Sequence, residues 1–345
     1  MTTRRVLAGT GTAAKSGGTF RMKRAFVFPG QGSQAVGMGS ALAVAFAPAR
    51  RVFAEVDDAL SQNLSRLMFD GPEGELTLTE NAQPALMAAS LAVIRVLEAE
   101  GGFSFARHVV FVAGHSLGEY SALAAARAFS VADTARLLKL RGQAMQQAVP
   151  VGVGAMAALL GLDIDRASAV AAKAACREVG PDEVCAVAND NAPGQMVVSG
   201  HRSAVERAIV IARAQGARSI VLPVSAPFHS PLMAPAAEVM REALNRVTLR
   251  PPVVPLVANV SATATSDPSR IRRGLIEQVT AMVRWRESVL TLRAAGIEEI
   301  VEIGAGRVLA GLARRIDPEI SVRSIGMPPE VDDLMNKLRE RTLAG

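Results

Sequence analysis

The sequence predicts an α/β protein in which a largely parallel sheet is interrupted by a smaller second domain. Over residues 22–151 and 226–330, short apolar runs alternate with longer stretches of helical periodicity, as the strands and helices of a parallel sheet do. Residues 152–225 follow a different order of elements, which predicts a separate inserted domain. We expect residues 331–345 to form a C-terminal tail or helix.

The first predicted elements are a short strand at 25–28, a glycine-rich loop at 29–39 and a helix at 41–60. The loop formally satisfies the dinucleotide fingerprint G-x-G-x-x-A. However, the acid expected about twenty residues further on would be Glu55, which falls inside the predicted helix. Because a glycine-rich loop at the carboxyl end of a strand can also present a backbone N–H to an oxyanion, we favour that role for Gln31.

Residues 114–118 read GHSLG and lie between an apolar run at 109–113 and a helical stretch at 120–128. A serine between two glycines at a strand-to-helix turn is typical of a nucleophile elbow, where the absence of Cβ atoms permits a strained turn. The pattern predicts an α/β-hydrolase-like core with Ser116 as the nucleophile. A structural Gly-x-Ser-x-Gly turn without catalytic function is the alternative.

The inserted segment has the element order βαββαβ, which is that of a ferredoxin-like domain. A cleft between this domain and the larger one is the expected site. The predicted strands are 154–162, 184–188, 195–199 and 219–224, and the predicted helices are 165–179 and 203–216. Elements of the large domain resume at 253–260, 271–283, 300–303 and 308–316.

Composition narrows the class of protein. The chain has 345 residues, half of them apolar and a fifth charged, which suits a globular enzyme. Its two cysteines, Cys176 and Cys185, have no partner at metal-ligand spacing, so we expect buried apolar side chains and neither a metal site nor a bound cofactor. Because the sequence has neither an apolar run of 18 residues nor a cleavable leader, we expect no membrane association and a cytoplasmic location.

The net charge of +6 is concentrated at the amino terminus, where six basic residues and no acid occur in the first 24 positions. We interpret residues 1–21 as a disordered extension, with an organelle transit peptide as the alternative. Nucleic-acid binding is not expected, since the chain has one Trp, one Tyr and no basic stripe interleaved with aromatic residues. We expect a monomer.

A serine hydroxyl needs a base, and histidine is the usual one. Of the four histidines, His115 adjoins Ser116 and should point elsewhere, His108 lies at the far end of the strand, and His201 opens a predicted helix. His229 lies in a proline-bounded loop where the chain re-enters the large domain. Elimination therefore favours His229 as the base, against the alternative of an ordinary loop histidine.

Several motifs together resemble those of the malonyl-CoA:acyl carrier protein transacylases of bacterial fatty-acid synthesis. The resemblance extends from residue 22 to about 327 and excludes the first 21 residues. The chain departs from the family at Arg127, where a glycine is usual, and at 281–285, which lacks the usual Asn-Pro. The matching segments are FVFPGQGSQ at 26–34, GHSLGEYSAL at 114–123, QPAL at 83–86, RGQAM at 141–145, NAPGQ at 191–195, the loop at 227–231 and EIGAG at 302–306.

The resemblance implies a ping-pong transfer of malonyl from malonyl-CoA to acyl carrier protein through a serine ester. It implies that Ser116 is the nucleophile and that His229 is the base, oriented by the main-chain carbonyl of Gln278. It also implies an oxyanion hole made of the backbone N–H groups of Gln31 and Leu117.

The substrate carboxylate is assigned to Arg141 by the same resemblance, since a guanidinium meets a carboxylate with two parallel hydrogen bonds. From spacing alone, Arg141 is one of three arginines around a helix, with Arg127 and Arg136, and a solvated helix face would explain all three. Phe228 is expected to narrow the pocket beside the acyl α-carbon and to favour malonyl over methylmalonyl groups.

The sequence is also compatible with three other functions. A serine esterase or thioesterase of α/β-hydrolase type would share the elbow, but it would supply an acid between serine and histidine in the sequence. The acids before His229 lie in the predicted small domain. A standalone acyltransferase of a polyketide pathway would have the same motifs, and a non-enzymatic scaffold would need no activated serine.

Overall fold

The computed structural model describes residues 22–177, 181, 183–224 and 226–343. The predicted extension, residues 1–21, lies outside the described residues. The strands in chain order are β1 (Arg24–Phe28), β2 (Phe111–Gly114), β3 (Gly154–Leu160), β4 (Cys185–Ala192), β5 (Gln195–His201), β6 (Arg218–Val221), β7 (Leu256–Val257), β8 (Ala264–Thr265), β9 (Glu299–Ile303) and β10 (Ser321–Ile325).

The helices cover both faces of the larger sheet and one face of the smaller. In chain order they are α1 (Ser40–Ala45), α2 (Ala47–Leu60), α3 (Leu64–Asp70), α4 (Glu73–Thr77), α5 (Thr79–Glu100), α6 (Phe105–His108), α7 (Gly118–Ala125), α8 (Val131–Gln147), α9 (Ile164–Ala175), α10 (Arg202–Ala214), α11 (Ala234–Arg246), α12 (Pro268–Glu277), α13 (Trp285–Ala294), α14 (Val308–Ile316) and α15 (Pro328–Leu343). A 3₁₀ turn (Pro231–Met233) precedes α11.

The larger sheet has the strand order β10-β9-β1-β2-β7-β8, and every pairing in it is parallel except that of β7 with β8. Strand β1 is buried along its whole length, as expected for a central parallel strand covered on both faces. The prediction of an α/β protein with a parallel sheet is confirmed. The carboxyl ends of β1 and β2 lie side by side, so the loops that follow them meet at one edge.

The smaller sheet is antiparallel, with the strand order β4-β5-β3-β6, and α9 and α10 pack against it over a separate apolar core. Its elements follow the chain order β3, α9, β4, β5, α10, β6. The smaller sheet contacts the segment between α12 and α13, where the N–H of Asp190 on β4 donates to the carbonyl of Val283 and the buried Asp190 carboxylate lies 2.7 Å from Arg286.

Several predicted elements have different bounds. The helix expected at 41–60 is two helices, because Phe46 is extended (φ −127°) and separates α1 from α2. The element predicted at 271–283 is helical only as far as Glu277. Beyond it the chain is extended at Val283, whose backbone forms hydrogen bonds with Ala188 and Asp190 of the smaller sheet. The C-terminal segment is helical through Leu343. Cys176 is exposed rather than buried, so that expectation is wrong.

Helix α5 is long and apolar enough to cross a membrane by length and composition, and among the described residues no other helix meets that test. In the folded chain 83% of its apolar window is buried. It packs against α2 and α8, so its apolar surface belongs to the protein core.

Candidate active site

The nucleophile elbow is a turn that only glycine permits on either side of Ser116. A Cβ built on Gly114 would lie 2.0 Å from the carbonyl carbon of Gly118, and a Cβ on Gly118 would lie 2.2 Å from the carbonyl oxygen of Phe28. Ser116 itself has φ +53°, in the left-handed region that a side chain rarely adopts. The turn lifts the serine hydroxyl above the edge of the larger sheet.

Ser116 and His229 are in direct contact. Ser116 Oγ lies 2.8 Å from His229 Nε2, and His229 Nδ1 lies 2.8 Å from the main-chain oxygen of Gln278. Because a carbonyl only accepts, Nδ1 must carry the proton, which leaves Nε2 free to accept from the serine. The carbonyl of Gln278 thus occupies the place that a carboxylate has in a serine protease triad.

The environment of His229 keeps its imidazole neutral. The side chain is buried, and burial lowers the pKa of His229 to about 3, with the positive charge of Arg141 acting in the same direction. The base form is therefore present at neutral pH, as proton abstraction from Ser116 requires.

Two backbone N–H groups beside Ser116 are available to a substrate oxygen. The N–H of Ser116 itself donates to Asn259 Oδ1 over 2.7 Å. In the described part of the chain, the N–H groups of Leu117 and Gln31 have no acceptor, and both residues line the same cavity as Ser116. This arrangement can stabilise an oxyanion that forms on a carbonyl attacked by Ser116.

Arg141 is 1% exposed, and its hydrogen-bond partners are neutral. Its Nη1 donates to Gln83 Oε1 (2.8 Å), and its Nη2 donates to Gln278 Oε1 (2.9 Å) and Ser116 Oγ (3.1 Å). Its Nε has no partner among the described residues, and its Cζ lies 5.7 Å from the centroid of the Tyr120 ring. A buried cation that contacts no carboxylate within the described part of the chain favours binding of an anion.

The cavity around these groups has a volume of about 240 Å³. It is lined by loops and helices around the larger sheet and by Met156 and Asn189 of the smaller sheet, and it is largely apolar away from the serine. Phe228 is among its lining residues and is 9% exposed. The other apolar side chains that line it are Leu117, Met145, Met156, Leu222, Pro223 and Val224.

Two polar residues beneath the elbow, Asn259 and Glu119, were not predicted from the sequence. Asn259 Oδ1 accepts from the Ser116 N–H, and Asn259 Nδ2 donates to the carbonyl of Gly114 over 2.6 Å. These two hydrogen bonds stabilise the backbone of the turn. Glu119 accepts from the side chain of Gln278 (2.7 Å) and from the N–H of Asn259 (3.2 Å). Glu119 stands inside the matched segment at 114–123, which was the available signal, whereas Asn259 fell in a predicted strand.

Glu119 is 1% exposed, and burial raises its pKa to about 7, although its hydrogen bonds to Gln278 and Asn259 oppose that rise. A raised carboxyl pKa means that the folded chain loses stability progressively as the pH rises from 4.5, the pKa in the unfolded state, to 7, and that the loss is complete above pH 7. The full effect of a rise from 4.5 to 7 corresponds to about 3 kcal/mol at 1.36 kcal/mol per pH unit.

Glu119→Gln keeps an acceptor for both hydrogen bonds and removes the charge. We expect its free energy of unfolding at pH 8 to exceed that of the wild type by about 1–3 kcal/mol. The difference should shrink as the pH falls from 7 towards 4.5, because the carboxyl of the unfolded wild type then becomes protonated as well, so that folding no longer requires uptake of a proton. Thermal unfolding measured across this pH range tests the prediction, and a difference independent of pH would contradict it.

The other three histidines form hydrogen bonds with groups other than the Ser116 hydroxyl. Nε2 of His115 lies 2.9 Å from Asn191 Oδ1 on β4, so its ring points away from Ser116, although it still lines the cavity. His108 contacts the backbone of Ser104, and His201 accepts from the N–H of Val184.

The site combines a neutral imidazole in contact with a serine hydroxyl and two nearby N–H groups that have no acceptor among the described residues. This arrangement is typical of an enzyme that transfers acyl groups through a serine ester. The chain belongs to the acyl transferase domain family, which matches residues 25–343. Membership of the transacylase family, which the motifs predicted, is confirmed.

Among its curated relatives is the malonyl CoA-acyl carrier protein transacylase of Bacillus subtilis, 43% identical over 92% of this chain and 98% of the relative. The protein of the same name from Escherichia coli K12 is 44% identical over 88% of this chain and 96% of the relative. The crystal structure of an acyl-carrier-protein S-malonyltransferase from Bartonella henselae is 54% identical, with a TM-score of 0.88 over 92% of this chain and all of that one.

A further solved structure holds a malonyl-transacylase in complex with the acyl carrier protein of a type II polyketide synthase. That transacylase is 39% identical to this chain, with a TM-score of 0.86 over 91% of this chain and 99% of its own.

Proposed function

We propose that this protein transfers the malonyl group of malonyl-CoA to the phosphopantetheine thiol of acyl carrier protein, through an ester on Ser116. The observation that carries the proposal is the Arg141 guanidinium, which is buried 3.1 Å from the Ser116 hydroxyl and forms no ion pair with any carboxylate of the described residues. A substrate with a free carboxylate two bonds beyond its thioester carbonyl suits that distance, and malonyl-CoA is such a substrate.

In the first half-reaction, His229 Nε2 takes the hydroxyl proton as Ser116 Oγ attacks the thioester carbonyl. The N–H groups of Gln31 and Leu117 stabilise the resulting oxyanion, where loss of one donor typically costs about 2.7–4 kcal/mol. The C–S bond then breaks, and the CoA thiolate receives the proton from His229. The second half-reaction reverses these steps, with the carrier thiol giving its proton to His229 and attacking the serine ester.

Arg141 has a second effect on the nucleophile. In the free enzyme its Nη2 donates to Ser116 Oγ, which draws electron density from the attacking oxygen. A malonyl carboxylate would compete for Nη2 and also reduce the positive charge that helps lower the pKa of His229. Binding of the correct acyl group would thus strengthen both the nucleophile and its base.

We propose that Phe228 sets the selectivity at the acyl α-carbon. Phe228 immediately precedes His229 in the sequence, and its side chain lines the cavity. We expect the wild type to prefer malonyl-CoA to methylmalonyl-CoA by about tenfold or more, as one methyl group in a packed pocket allows. Phe228→Ala should narrow the preference. Competition between the two thioesters measures it, and equal rates for the wild type would contradict this role.

The comparisons favour fatty-acid synthesis as the setting, while the solved complex with a polyketide carrier protein makes a polyketide pathway the second candidate. An esterase is less favoured, because His229 Nδ1 faces a carbonyl instead of a carboxylate and Asp190 is bound to Arg286.

We further propose a hydrolase-like core, 22–151 and 226–330, with a ferredoxin-like insertion at 152–225. The strand order of the smaller sheet supports this division. We propose that the enzyme acts as a cytoplasmic monomer.

Labelling with [¹⁴C]malonyl-CoA tests the function. The expected result is one malonyl ester on Ser116, absent from Ser116→Ala, that passes to holo-acyl carrier protein much faster than it hydrolyses in water. Release to water at the same rate with and without carrier protein would indicate a hydrolase. Absence of label would refute the transferase.

A further inference from the structure

A chain of hydrogen bonds leads from Arg141 to the glycine-rich loop. Nη1 of Arg141 donates to Gln83 Oε1 (2.8 Å), Nε2 of Gln83 donates to Thr79 Oγ1 (2.9 Å), and the Thr79 hydroxyl donates to Gln31 Oε1 (2.9 Å). Every link therefore points in the same direction, away from the cation. Hydrogen bonds that run in one direction from a charge polarise and strengthen one another.

The middle of this chain is held rigidly. Thr79 and Gln83 lie one turn apart on α5, with exposed fractions of 2% and 1%. The start of α5 packs directly against α8 at Gly142, where an added Cβ would lie 2.4 Å from the Cα of Glu80. Since Gly142 follows Arg141, this close approach fixes the separation of the two backbone segments that carry Thr79 and Arg141.

The beginning of the loop depends on this support. The side chain of Gln31 is held by Thr79, while the N–H of the next residue, Gly32, bonds within the loop to Gln34 Oε1 over 2.7 Å. Gly32 and Gly37 both have positive φ, and the backbone hydrogen bonds of the loop begin only after Gln34, with that from Gly37 N–H to the carbonyl of Met68 (2.8 Å) and that from Met38 N–H to the carbonyl of Ala35 (3.1 Å). The position of the Gln31 N–H therefore follows from where Thr79 holds its side chain.

We propose that Thr79 is a positioning residue for acyl transfer. By holding Gln31 it directs the loop N–H towards the carbonyl oxygen of the acyl group on Ser116. It also connects that N–H to the cation that receives the malonyl carboxylate, so carboxylate recognition and oxyanion stabilisation share one hydrogen-bond chain. This inference rests on the proposed function, in which the Gln31 N–H is an oxyanion donor.

Thr79→Val removes the hydroxyl at nearly constant shape, and Thr79→Ser retains it. We expect Thr79→Val to lower kcat by about tenfold or more, with the KM for malonyl-CoA changed less than about twofold, because a displaced donor affects the transition state more than substrate binding. Thr79→Ser should keep kcat near that of the wild type. Equal losses in the two variants would indicate a packing role and overturn the proposal, as would an unchanged kcat in Thr79→Val.

A double-mutant cycle tests the link itself. Gln31→Ala deletes the acceptor but leaves the backbone N–H, so the double variant Thr79→Val/Gln31→Ala should be no slower than the slower single variant. Losses that multiply would overturn the proposal.

The same variants can be compared by the rate at which a fluorophosphonate labels Ser116, because the phosphoryl oxygen of the adduct occupies an oxyanion hole. Thr79→Val should slow this labelling by a similar factor, and an unchanged rate would overturn the proposal. Because this readout needs no malonyl-CoA, a wild type that is labelled but transfers no malonyl group would refute the proposed function while still testing the role of Thr79.

Discussion

His229→Ala is expected to lower the rate of malonyl transfer by about 10³- to 10⁴-fold, at the upper end of what general acid–base catalysis contributes. The same imidazole takes the serine proton in one half-reaction and protonates the departing thiolate, so both steps lose their proton carrier. Transfer of [¹⁴C]malonyl to holo-acyl carrier protein at saturating substrate measures the effect.

The chain offers a matched control in His201→Ala. The His201 imidazole accepts from the N–H of Val184 at the end of the smaller sheet. We therefore expect the His201→Ala variant to transfer malonyl at close to the wild-type rate. If His229→Ala retained a tenth of the activity, the 2.8 Å contact between Ser116 Oγ and His229 Nε2 would not be the catalytic pair.

The residues that the sequence identified are those whose geometry is set locally. The elbow at Ser116 could be predicted because two glycines, a preceding strand and a following helix all stand within a few residues of one another. His229 could be singled out because prolines bound its loop. Nothing near Gln278 in sequence indicates that its carbonyl faces a histidine 49 positions earlier; that assignment came from the resemblance, and the structure places the two atoms 2.8 Å apart.

Residues that act through distant contacts could not be predicted. Asn259 meets the Ser116 N–H across 143 positions, and Thr79 meets Gln31 across 48. The break between α1 and α2 was also missed, because the helical periodicity continues through Phe46 although its backbone is extended. In each case the deciding interaction is tertiary, and periodicity within one segment does not contain it.

The departure at Arg127 has a structural explanation. This residue has φ +67°, a conformation that favours glycine, which accounts for the glycine usual at this position in the family. Its side chain is 41% exposed and lies 2.6 Å from the carboxylate of Glu98. The charge therefore lies at the surface, paired with Glu98.

Arg141→Ala is expected to lower kcat/KM for malonyl-CoA by about 10²- to 10³-fold, because the substrate carboxylate would enter a largely apolar cavity with no cation to meet it. Neutral acyl-CoA should be handled no worse than by the wild type. The variant loses the hydrogen bond from Nη2 to Ser116 Oγ, and without the nearby positive charge the pKa of His229 should rise, making it a stronger base. The ratio of malonyl-CoA to acetyl-CoA turnover measures the change.

Arg136→Ala is the matched control on the same helix, since that side chain is 55% exposed and pairs with Asp133 on the surface. It should leave the turnover ratio unchanged. Arg141→Lys separates charge from geometry, because an ammonium keeps the positive charge but cannot form two parallel hydrogen bonds to a carboxylate. We expect Arg141→Lys to fall between Arg141→Ala and the wild type. If Arg141→Ala reduced malonyl and acetyl turnover equally, the guanidinium would serve to organise Gln83 and Gln278, and the substrate carboxylate would have to be recognised elsewhere.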